Sequence, residues 1–413
     1  MTELVQSLEE FVAACREPVL IEAGQEPICL LPGQYELSAG PGGRAFIEAW
    51  DEAGRLARRV TSIMRRQPGT LTLEIERFGK KTGTLLLVDR ARAAAVDPSR
   101  RAARMVLRER FRRFLARQFT GWTIAELTAG TDLENSLSPA YPRAMLRRGQ
   151  TAWAAIAAPD EVTTADHTLT FGLIWLDYLR RRERHKMLVE GLCLFLPAGK
   201  TLTTCLRARW LNPHAAKLIV FAYDADWEEP LDPAAHGNLD TRVPPASQSA
   251  HPSPAHPDQP EAMLEAIVRA NPSLFDASLS PEPVYGQVPA LAGGERGVLD
   301  LLAVSGAGRL AVLELKASAD LHLPLQALDY WLRVRWHQER GDFARQGYFS
   351  SVTLDPAPPR LVLIAPALQF HPTTETVLRY FSPRVEVTRI GLAVEWQKDL
   401  RVMLRLEGAR APD

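Results

Sequence analysis

Two acidic residues and a lysine interrupt a pair of apolar runs in the last third of the chain. The runs cover residues 297–305 and 310–318, and a short turn that contains two glycines separates them. Strand-forming residues on both sides of such a turn predict a β-hairpin. Asp300 lies in the first run, and Glu314 and Lys316 lie in the second. Charged side chains therefore occupy positions at which a buried strand would be apolar.

This arrangement is suited to binding a cation. Side chains alternate between the two faces of a strand, so Glu314 and Lys316 project from the same face. Pairing within the hairpin can bring Asp300 beside Glu314, and two carboxylates held together in a buried place repel one another. A divalent cation such as Mg²⁺ would remove this conflict, because hard cations prefer oxygen ligands. The lysine could orient or polarise an attacking water, or stabilise charge that develops on a phosphate.

The spacing of these residues resembles a known family. Asp300, a thirteen-residue gap and then Glu314-Leu315-Lys316 resemble the motif of the PD-(D/E)XK nuclease superfamily. Gln326 and Tyr330 fit the Q-x-x-x-Y pattern that the RecB-like and NucS-like branches carry on the helix after the E-x-K strand. The resemblance covers roughly residues 260–406, about a third of the chain, and consists of motif matches in the expected order.

The resemblance implies a role for each residue. Asp300 and Glu314 would hold Mg²⁺, or Mn²⁺ in its place, with the carbonyl of Leu315 completing the set. Lys316 would orient or polarise the attacking water, or stabilise the developing charge. Glu265, or less surely Glu261, would be an accessory acid supplied by the preceding helix. Gln326 and Tyr330 would support the site or touch the DNA backbone.

The implied activity is metal-dependent hydrolysis of DNA phosphodiester bonds, in repair or defence. Two other classes stay open. One is a nucleic-acid-binding protein that retains the nuclease fold without activity, and the other is a protein-interaction protein. In those cases Glu314 and Lys316 would form an exposed ion pair, and Gln326 and Tyr330 would lie on an ordinary helix face.

Composition excludes several classes of protein. Acidic and basic residues are equal at 49 each, so the net charge does not identify a partner. The four cysteines show no C-x-x-C spacing, which predicts free thiols in a reducing compartment. No apolar run approaches membrane-spanning length, which predicts a cytoplasmic protein without a membrane partner. The high content of Ala, Arg and Pro suggests a bacterial source.

The first half of the chain contains two candidate surfaces for DNA. Residues 1–96 predict a small strand-rich or α+β module, whose basic loop could place Lys80 and Lys81 on phosphates. The alternative is a solvated turn. Residues 97–228 predict an arginine-rich helix followed by an α/β module. Four arginines of this helix would face phosphates, or else solvent, namely Arg101, Arg104, Arg108 and Arg112.

Local patterns within the second segment predict helices over 122–127 and 141–157 and a strand over 203–210. Residues 229–260 are rich in Pro, Ser, Ala and His, which predicts a linker. Residues 261–413 then predict elements in the order α-β-β-β-α-β, which fits the restriction-endonuclease-like domain that the resemblance implies. The predicted fold class is α/β (α+β), with a mixed C-terminal sheet flanked by helices, and a homodimer stays open.

Overall fold

The computed structural model describes residues 3–22, 27–51, 54–77, 81–91, 93–160, 162–224, 227–235, 243, 245–246, 260–292 and 295–408. The chain forms two compact units. The first contains residues 1–120 with the short segments 127–130 and 139–142, and the second contains the rest. None of the helices in these ranges is long and apolar enough to cross a membrane.

The described helices are α1 (Glu3–Ala14), α2 (Ala93–Gln118), α3 (Val162–Glu183), α4 (Leu202–Ala208), α5 (Pro260–Ala270), α6 (Pro272–Phe275), α7 (Leu323–Glu339), α8 (Asp342–Arg345) and α9 (Thr374–Leu378). The strands of the first half are β1 (Pro18–Glu22), β2 (Ile28–Cys29), β3 (Tyr35–Ala39), β4 (Ala45–Asp51), β5 (Gly54–Gln67), β6 (Thr70–Arg77), β7 (Lys81–Asp89), β8 (Thr123–Thr128), β9 (Arg143–Arg148) and β10 (Thr151–Ala157). Those of the second half are β11 (Leu188–Pro197), β12 (Lys217–Tyr223), β13 (Glu228–Leu231), β14 (Tyr285–Ala292), β15 (Glu295–Val304), β16 (Leu310–Leu315), β17 (Arg360–Pro366), β18 (Val387–Leu392) and β19 (Val402–Glu407).

The N-terminal sheet is antiparallel, in the order β2-β1-β7-β6-β5-β4-β3. Alternate residues of β6, Leu71, Leu73 and Ile75, are fully buried in one core with Leu8 of α1. This period of two is the signature of a sheet with one covered face. The strand-rich prediction for this module is confirmed, and helix α2 packs on β1 and β7 of the same unit.

The middle sheet, in the order β13-β12-β11-β10-β9-β8, corrects three local predictions. All but the first of residues 122–127 lie in strand β8 rather than in a helix, and residues 141–157 contain the antiparallel pair β9 and β10. The alanines of β10 favour a helix by propensity, but nearly every residue of that strand is buried in the sheet, and burial overrides propensity. Residues 203–210 contain helix α4 rather than a strand, because four consecutive residues from Thr204 are buried by tertiary packing.

The C-terminal sheet has the predicted architecture. Its order is β14-β15-β16-β17-β18-β19, with antiparallel pairs at both ends and parallel pairs in the centre. Helix α5 precedes β14, and α7 joins β16 to β17, so the order is α-β-β-β-α-β. The odd-numbered residues Leu301, Leu313 and Leu315 pack in one core with Leu264 and Val268 of α5. The mixed α/β fold class is therefore confirmed.

The middle and C-terminal sheets repeat one plan. In each, the second and third strands are antiparallel, the third, fourth and fifth are parallel, and the sixth is antiparallel to the fifth. A long helix joins the third strand to the fourth, and a short helix joins the fourth to the fifth. From β9 onward, both sheets lie within the second compact unit.

The segment predicted as a linker begins with regular structure. Strand β13 pairs with β12 through Leu231 and its neighbours, and a 3₁₀ turn follows at Pro233–Ala235. Val243 is buried, and the backbone N–H of Ala246 donates to the carbonyl of Gln346. Residues 236–242, 244 and 247–259 of this segment lie outside the described part of the chain.

Candidate active site

The hairpin of β15 and β16 sets the position of the two acids. Its antiparallel register pairs Leu301 with Leu313 and continues to the turn. One step further along the same register, position 300 lies opposite position 314. Residues opposite one another in an antiparallel pair project from the same face. Asp300 and Glu314 therefore lie side by side on the face opposite the leucine core.

The turn of this hairpin requires a glycine. Gly308 has a φ of +86°, a conformation that other residues seldom adopt. A Cβ at this position would also collide with the backbone carbonyl of Thr353. The sequence signal that predicted the hairpin thus corresponds to a backbone that has no room for a side chain.

Lys316 extends the same face just beyond β16. Its backbone N–H donates to the carbonyl of Ile364 at 3.0 Å, which anchors the residue to β17. Its side chain is 17% exposed, and its Nζ lies 3.9 Å from an oxygen of Asp320. The ammonium group is therefore held near the carboxylates while it remains accessible to a ligand.

Burial raises the pKa of Asp300 to about 6. Two features oppose this shift: the backbone N–H of Leu315 donates to Oδ2 of Asp300 at 2.8 Å, and Lys316 is close. The carboxylates of Glu265 and Glu261 raise the pKa further. The charges of these two acids therefore act on Asp300.

Glu314 is the most buried member of the cluster, at 1% exposure. Burial, and after it the charge of Asp300, raise its pKa well above the usual value, and Lys316 opposes the shift. Oε2 of Glu314 is buried and has no hydrogen-bond partner. A buried carboxylate oxygen without a partner is costly, and a ligand that satisfied it would stabilise the site.

Helix α5 positions the accessory acids. Glu261 and Glu265 are one helical turn apart, so they lie on the same helix face. Glu265 accepts a hydrogen bond from Nη2 of Arg269 at 2.8 Å, and both side chains are largely buried. Gly286 in β14 makes room for this ion pair, because a Cβ there would collide with both side chains.

Helix α7 brings the last two predicted residues to the cluster. Nε2 of Gln326 lies 3.5 Å from Oη of Tyr330, at the long limit of a hydrogen bond. Burial, and then the charge of Glu314, raise the pKa of Tyr330 to about 12. The phenol therefore remains protonated next to the acids and is available as a hydrogen-bond donor.

The donor set fits a hard cation. Within the described ranges, no group of three or more His, Cys, Asp and Glu side chains is arranged to hold a metal ion. Mg²⁺ is usually held by one or two carboxylates and keeps several waters, so a third side chain is not required. Asp300 and the unpaired oxygen of Glu314 fit that need. The carbonyl of Leu315 stays a predicted ligand.

Asp320 belongs to this cluster and is missing from the sequence prediction. It lies near Lys316, contributes to the raised pKa of Glu314, and accepts a hydrogen bond from the backbone N–H of His322 at 2.7 Å. The ring of His322 stacks on His167 of α3, with centroids 3.6 Å apart. The available signal was an acid four residues after the lysine, immediately before a helix.

The structure describes the predicted DNA-binding residues of the first unit only in part. Lys80 lies outside the described residues, and for Lys81 and Arg101 the structure defines only the backbone. Arg108 donates to the carbonyl of Leu127 at 3.2 Å. Arg112 forms an exposed ion pair with Glu109 on its own helix, while Arg104 is half-buried.

A groove of about 1590 Å³ lies between the middle and C-terminal sheets. It contains the hairpin turn, so it lies at the opposite end of β16 from Glu314. Its charged lining is Arg180, Arg181, Arg184, Arg309, Arg360, Arg379, Asp177, Asp355, Glu386 and Glu407. Nε of Arg379 is buried without a hydrogen-bond partner. The groove is thus an arginine-rich surface separate from the acidic cluster.

Comparison with known proteins yields no family and a weak structural similarity. No protein-family model matches the chain, and no curated protein matches it. Among solved structures, the chain is similar to the crystal structure of a repair endonuclease from Pyrococcus abyssi. The identity is 12% over 91% of this chain and 92% of the other, with a TM-score of 0.23. Such a TM-score does not establish a common fold, so function has to be inferred from the residues of this chain.

Proposed function

We propose that the chain is a metal-dependent nuclease that hydrolyses DNA phosphodiester bonds at the cluster of Asp300, Glu314 and Lys316. The observation that supports this most directly is a pair of adjacent, largely buried carboxylates, one with an unpaired oxygen, beside a lysine. An isolated pair of buried acids is destabilising, whereas the same pair around Mg²⁺ is not. We therefore infer that a cation and a phosphate complete this site.

The residues of the chain divide the work as follows. Asp300 and Glu314 would hold Mg²⁺ or Mn²⁺, which supplies positive charge to the scissile phosphate and acidifies water. Lys316 orients the attacking water or stabilises the negative charge that develops on the phosphate. The water oxygen forms a new bond to phosphorus, one bond from phosphorus to a deoxyribose oxygen breaks, and the proton of the water passes to the leaving oxygen through solvent. Tyr330 and Gln326 donate hydrogen bonds to the DNA backbone or to the acids.

Cleavage of end-labelled DNA in Mg²⁺ or Mn²⁺, compared with EDTA, tests this function. Asp300→Asn and Glu314→Gln should each reduce cleavage by at least about 100-fold while salt-dependent DNA binding persists. Asp399→Asn is the matched control, because that carboxylate is exposed, pairs with Arg401 and is not among the charges that shift the pKa of Asp300 or Glu314. Cleavage by Asp300→Asn at the wild-type rate would refute the site. Binding without cleavage by the wild-type protein would favour an inactive nuclease fold.

A further inference from the structure

The two sheets that share one plan also share a short sequence pattern. Residues 203–213 read TTCLRARWLNP, and residues 373–383 read TTETVLRYFSP. Both segments start with two threonines and end with an arginine, two large apolar or aromatic residues, a small polar residue and a proline. Each covers the short helix, α4 or α9, and the turn that leads to the fifth strand of its sheet.

These matching segments contact one another reciprocally. The backbone N–H of Asn212 donates to the carbonyl of Tyr380, and the N–H of Ser382 donates to the carbonyl of Trp210, both at 2.8 Å. Leu211 and Phe381, at matching positions, are bridge partners between these bonds. The helices also make reciprocal contacts, because the short helix of each sheet contacts the long helix of the other sheet: α4 contacts α7, and α9 contacts α3. Reciprocal contacts between matching residues are the signature of a two-fold pair.

The register of the sheets identifies the residues that match the acidic cluster. The N–H of Ala158 donates to the carbonyl of Phe195, as the N–H of Lys316 donates to that of Ile364. Ala158 therefore occupies the position of Lys316, and Ile156, two residues earlier, occupies the position of Glu314.

The position of Asp300 is replaced as well. In the middle sheet, Ile156 pairs with Arg143, as position 314 lies opposite position 300 in the C-terminal sheet. Arg143 is 4% exposed, and its guanidinium lies 5.4 Å from the ring of Trp175. A buried guanidinium where the other sheet has a carboxylate excludes a metal ion. The matching tyrosine is still present, because Leu176-Asp177-Tyr178 on α3 corresponds to Leu328-Asp329-Tyr330 on α7.

We propose that the segment from Arg143 to Leu231 is a second copy of the nuclease fold without a catalytic site, which takes the place of a dimer partner, so that one chain cuts one strand of duplex DNA per encounter. This proposal rests on the proposed nuclease function. The two strands of a duplex are related by two-fold axes, so a two-fold pair of domains can address both strands. Here one member of the pair has the carboxylates and the lysine. At each encounter water is added across one phosphodiester bond, and the second strand remains intact.

Supercoiled plasmid distinguishes a nick from a double-strand break in a single assay. With Mg²⁺ and limiting full-length protein, open circles should accumulate first, and linear DNA should follow only after a lag, because it needs two independent nicks close together. Asp300→Asn should leave the plasmid supercoiled. Linear DNA that forms from the earliest times in a fixed ratio to open circles would overturn the single-strand proposal. Cleavage of single-stranded circles with no effect on plasmid would overturn the duplex substrate.

The nuclease function and this inference fail in different ways. An absence of cleavage of every DNA in Mg²⁺ and Mn²⁺ would refute both, whereas coordinated double-strand breaks would refute only the inference. Sedimentation equilibrium at the protein concentration of the cleavage assay provides a second measurement. A mass of one 45.9 kDa chain is expected. A mass of two chains would show that the internal copy does not replace a partner subunit.

Discussion

Asp300 and Glu314 are arranged at a cost to the folded protein. Each acid is harder to ionise in the fold than in water. Burial removes the hydration of both, and nearby carboxylates raise the pKa further: Glu265 and Glu261 for Asp300, and chiefly Asp300 for Glu314. One backbone N–H and one lysine compensate only in part. A cation bound between the two acids would reverse this balance, so the residues that we propose to be catalytic should also make the stability of the protein depend on pH and on metal.

The first prediction is a stability change with pH in the metal-free protein. Asp300 has a pKa of about 6 in the fold and 3.8 as a free side chain. Between these values the unfolded chain has released the proton and the folded chain still holds it, so a rising pH favours unfolding. Wild-type protein in EDTA should lose up to about 3 kcal/mol from this group as the pH rises from about 4 to about 6, and Asp300→Asn should lose less. Urea unfolding across this range measures the difference.

Metal provides the control for that experiment. Mg²⁺ or Mn²⁺ should restore stability to the wild-type protein at neutral pH, because a ligand that binds only the folded state stabilises it. Asp300→Asn should respond weakly to the metal, and Asp399→Asn should respond as the wild type does. If the stability of the wild type and of Asp300→Asn depends on pH in the same way, the surroundings do not raise the pKa of Asp300.

The second prediction separates the lysine from the metal ligands. Lys316→Met removes the charge and retains an unbranched side chain. Single-turnover cleavage at saturating metal should slow by about 10²–10³-fold, while the affinity for Mn²⁺ should be unchanged or tighter, because an ammonium group repels a cation. Calorimetric titration and single-turnover kinetics give the two values. Losses of rate and metal affinity in equal proportion would mean that Lys316 instead organises the site through Asp320.

At the scale of elements, the hairpin and the helices of the C-terminal sheet were predictable from sequence. The hairpin has strand-forming runs on both sides of a turn that needs Gly308, and α5 and α7 have apolar faces at helical spacing. Strand β10 and helix α4 were not predictable, because alanine runs favour helix and β-branched threonines favour strand until burial decides. Asp320 was missed because its importance comes from the fold that surrounds it.

The third prediction concerns α2, whose arginines remain untested as DNA contacts. Replacement of Arg101, Arg104, Arg108 and Arg112 by Gln retains helix propensity. Each lost phosphate contact should reduce the slope of log affinity against log salt by about 0.9 on duplex DNA. Because Arg112 is paired with Glu109 and Arg108 with a backbone carbonyl, Arg104→Gln should have the larger single effect.

Fluorescence anisotropy over a range of salt concentrations measures these slopes. Arg55→Gln is a matched control, since Arg55 is an exposed arginine of the same unit that is paired with Glu48. Affinity should fall to a similar extent on unrelated sequences, because phosphates have no base identity. If the quadruple variant retains the wild-type slope, α2 does not contact DNA, and the arginine-rich groove between the other two sheets becomes the better candidate.

At the scale of the whole molecule, the repeated fold could not be predicted from sequence. The two copies retain only short matching segments, and the positions of Asp300, Glu314 and Lys316 are occupied in the middle sheet by Arg143, Ile156 and Ala158. The fold depends on the pattern of hydrophobic residues, and this pattern is retained when individual site residues are replaced. The C-terminal sheet is therefore one half of a compact unit, and its stability should depend on the other half.

The last prediction measures that dependence. Arg207 on α4 donates two hydrogen bonds to Asp329 on α7, at 2.8 and 2.6 Å, and the two side chains are 7% and 16% exposed. Removing one partner of a buried pair leaves a charge without compensation, so Arg207→Met and Asp329→Leu should each destabilise by about 3 kcal/mol. The double variant should lose less than the sum, with a coupling energy of about 1–3 kcal/mol. Urea unfolding of all four proteins provides the cycle, and the exposed pair Arg401–Asp399 should couple by less than about 1 kcal/mol.

A single transition that shifts in every variant would mean that the two copies unfold together. Two transitions, with one unchanged by these substitutions, would instead show that each copy folds by itself and that the pair is an accessory contact between independent domains.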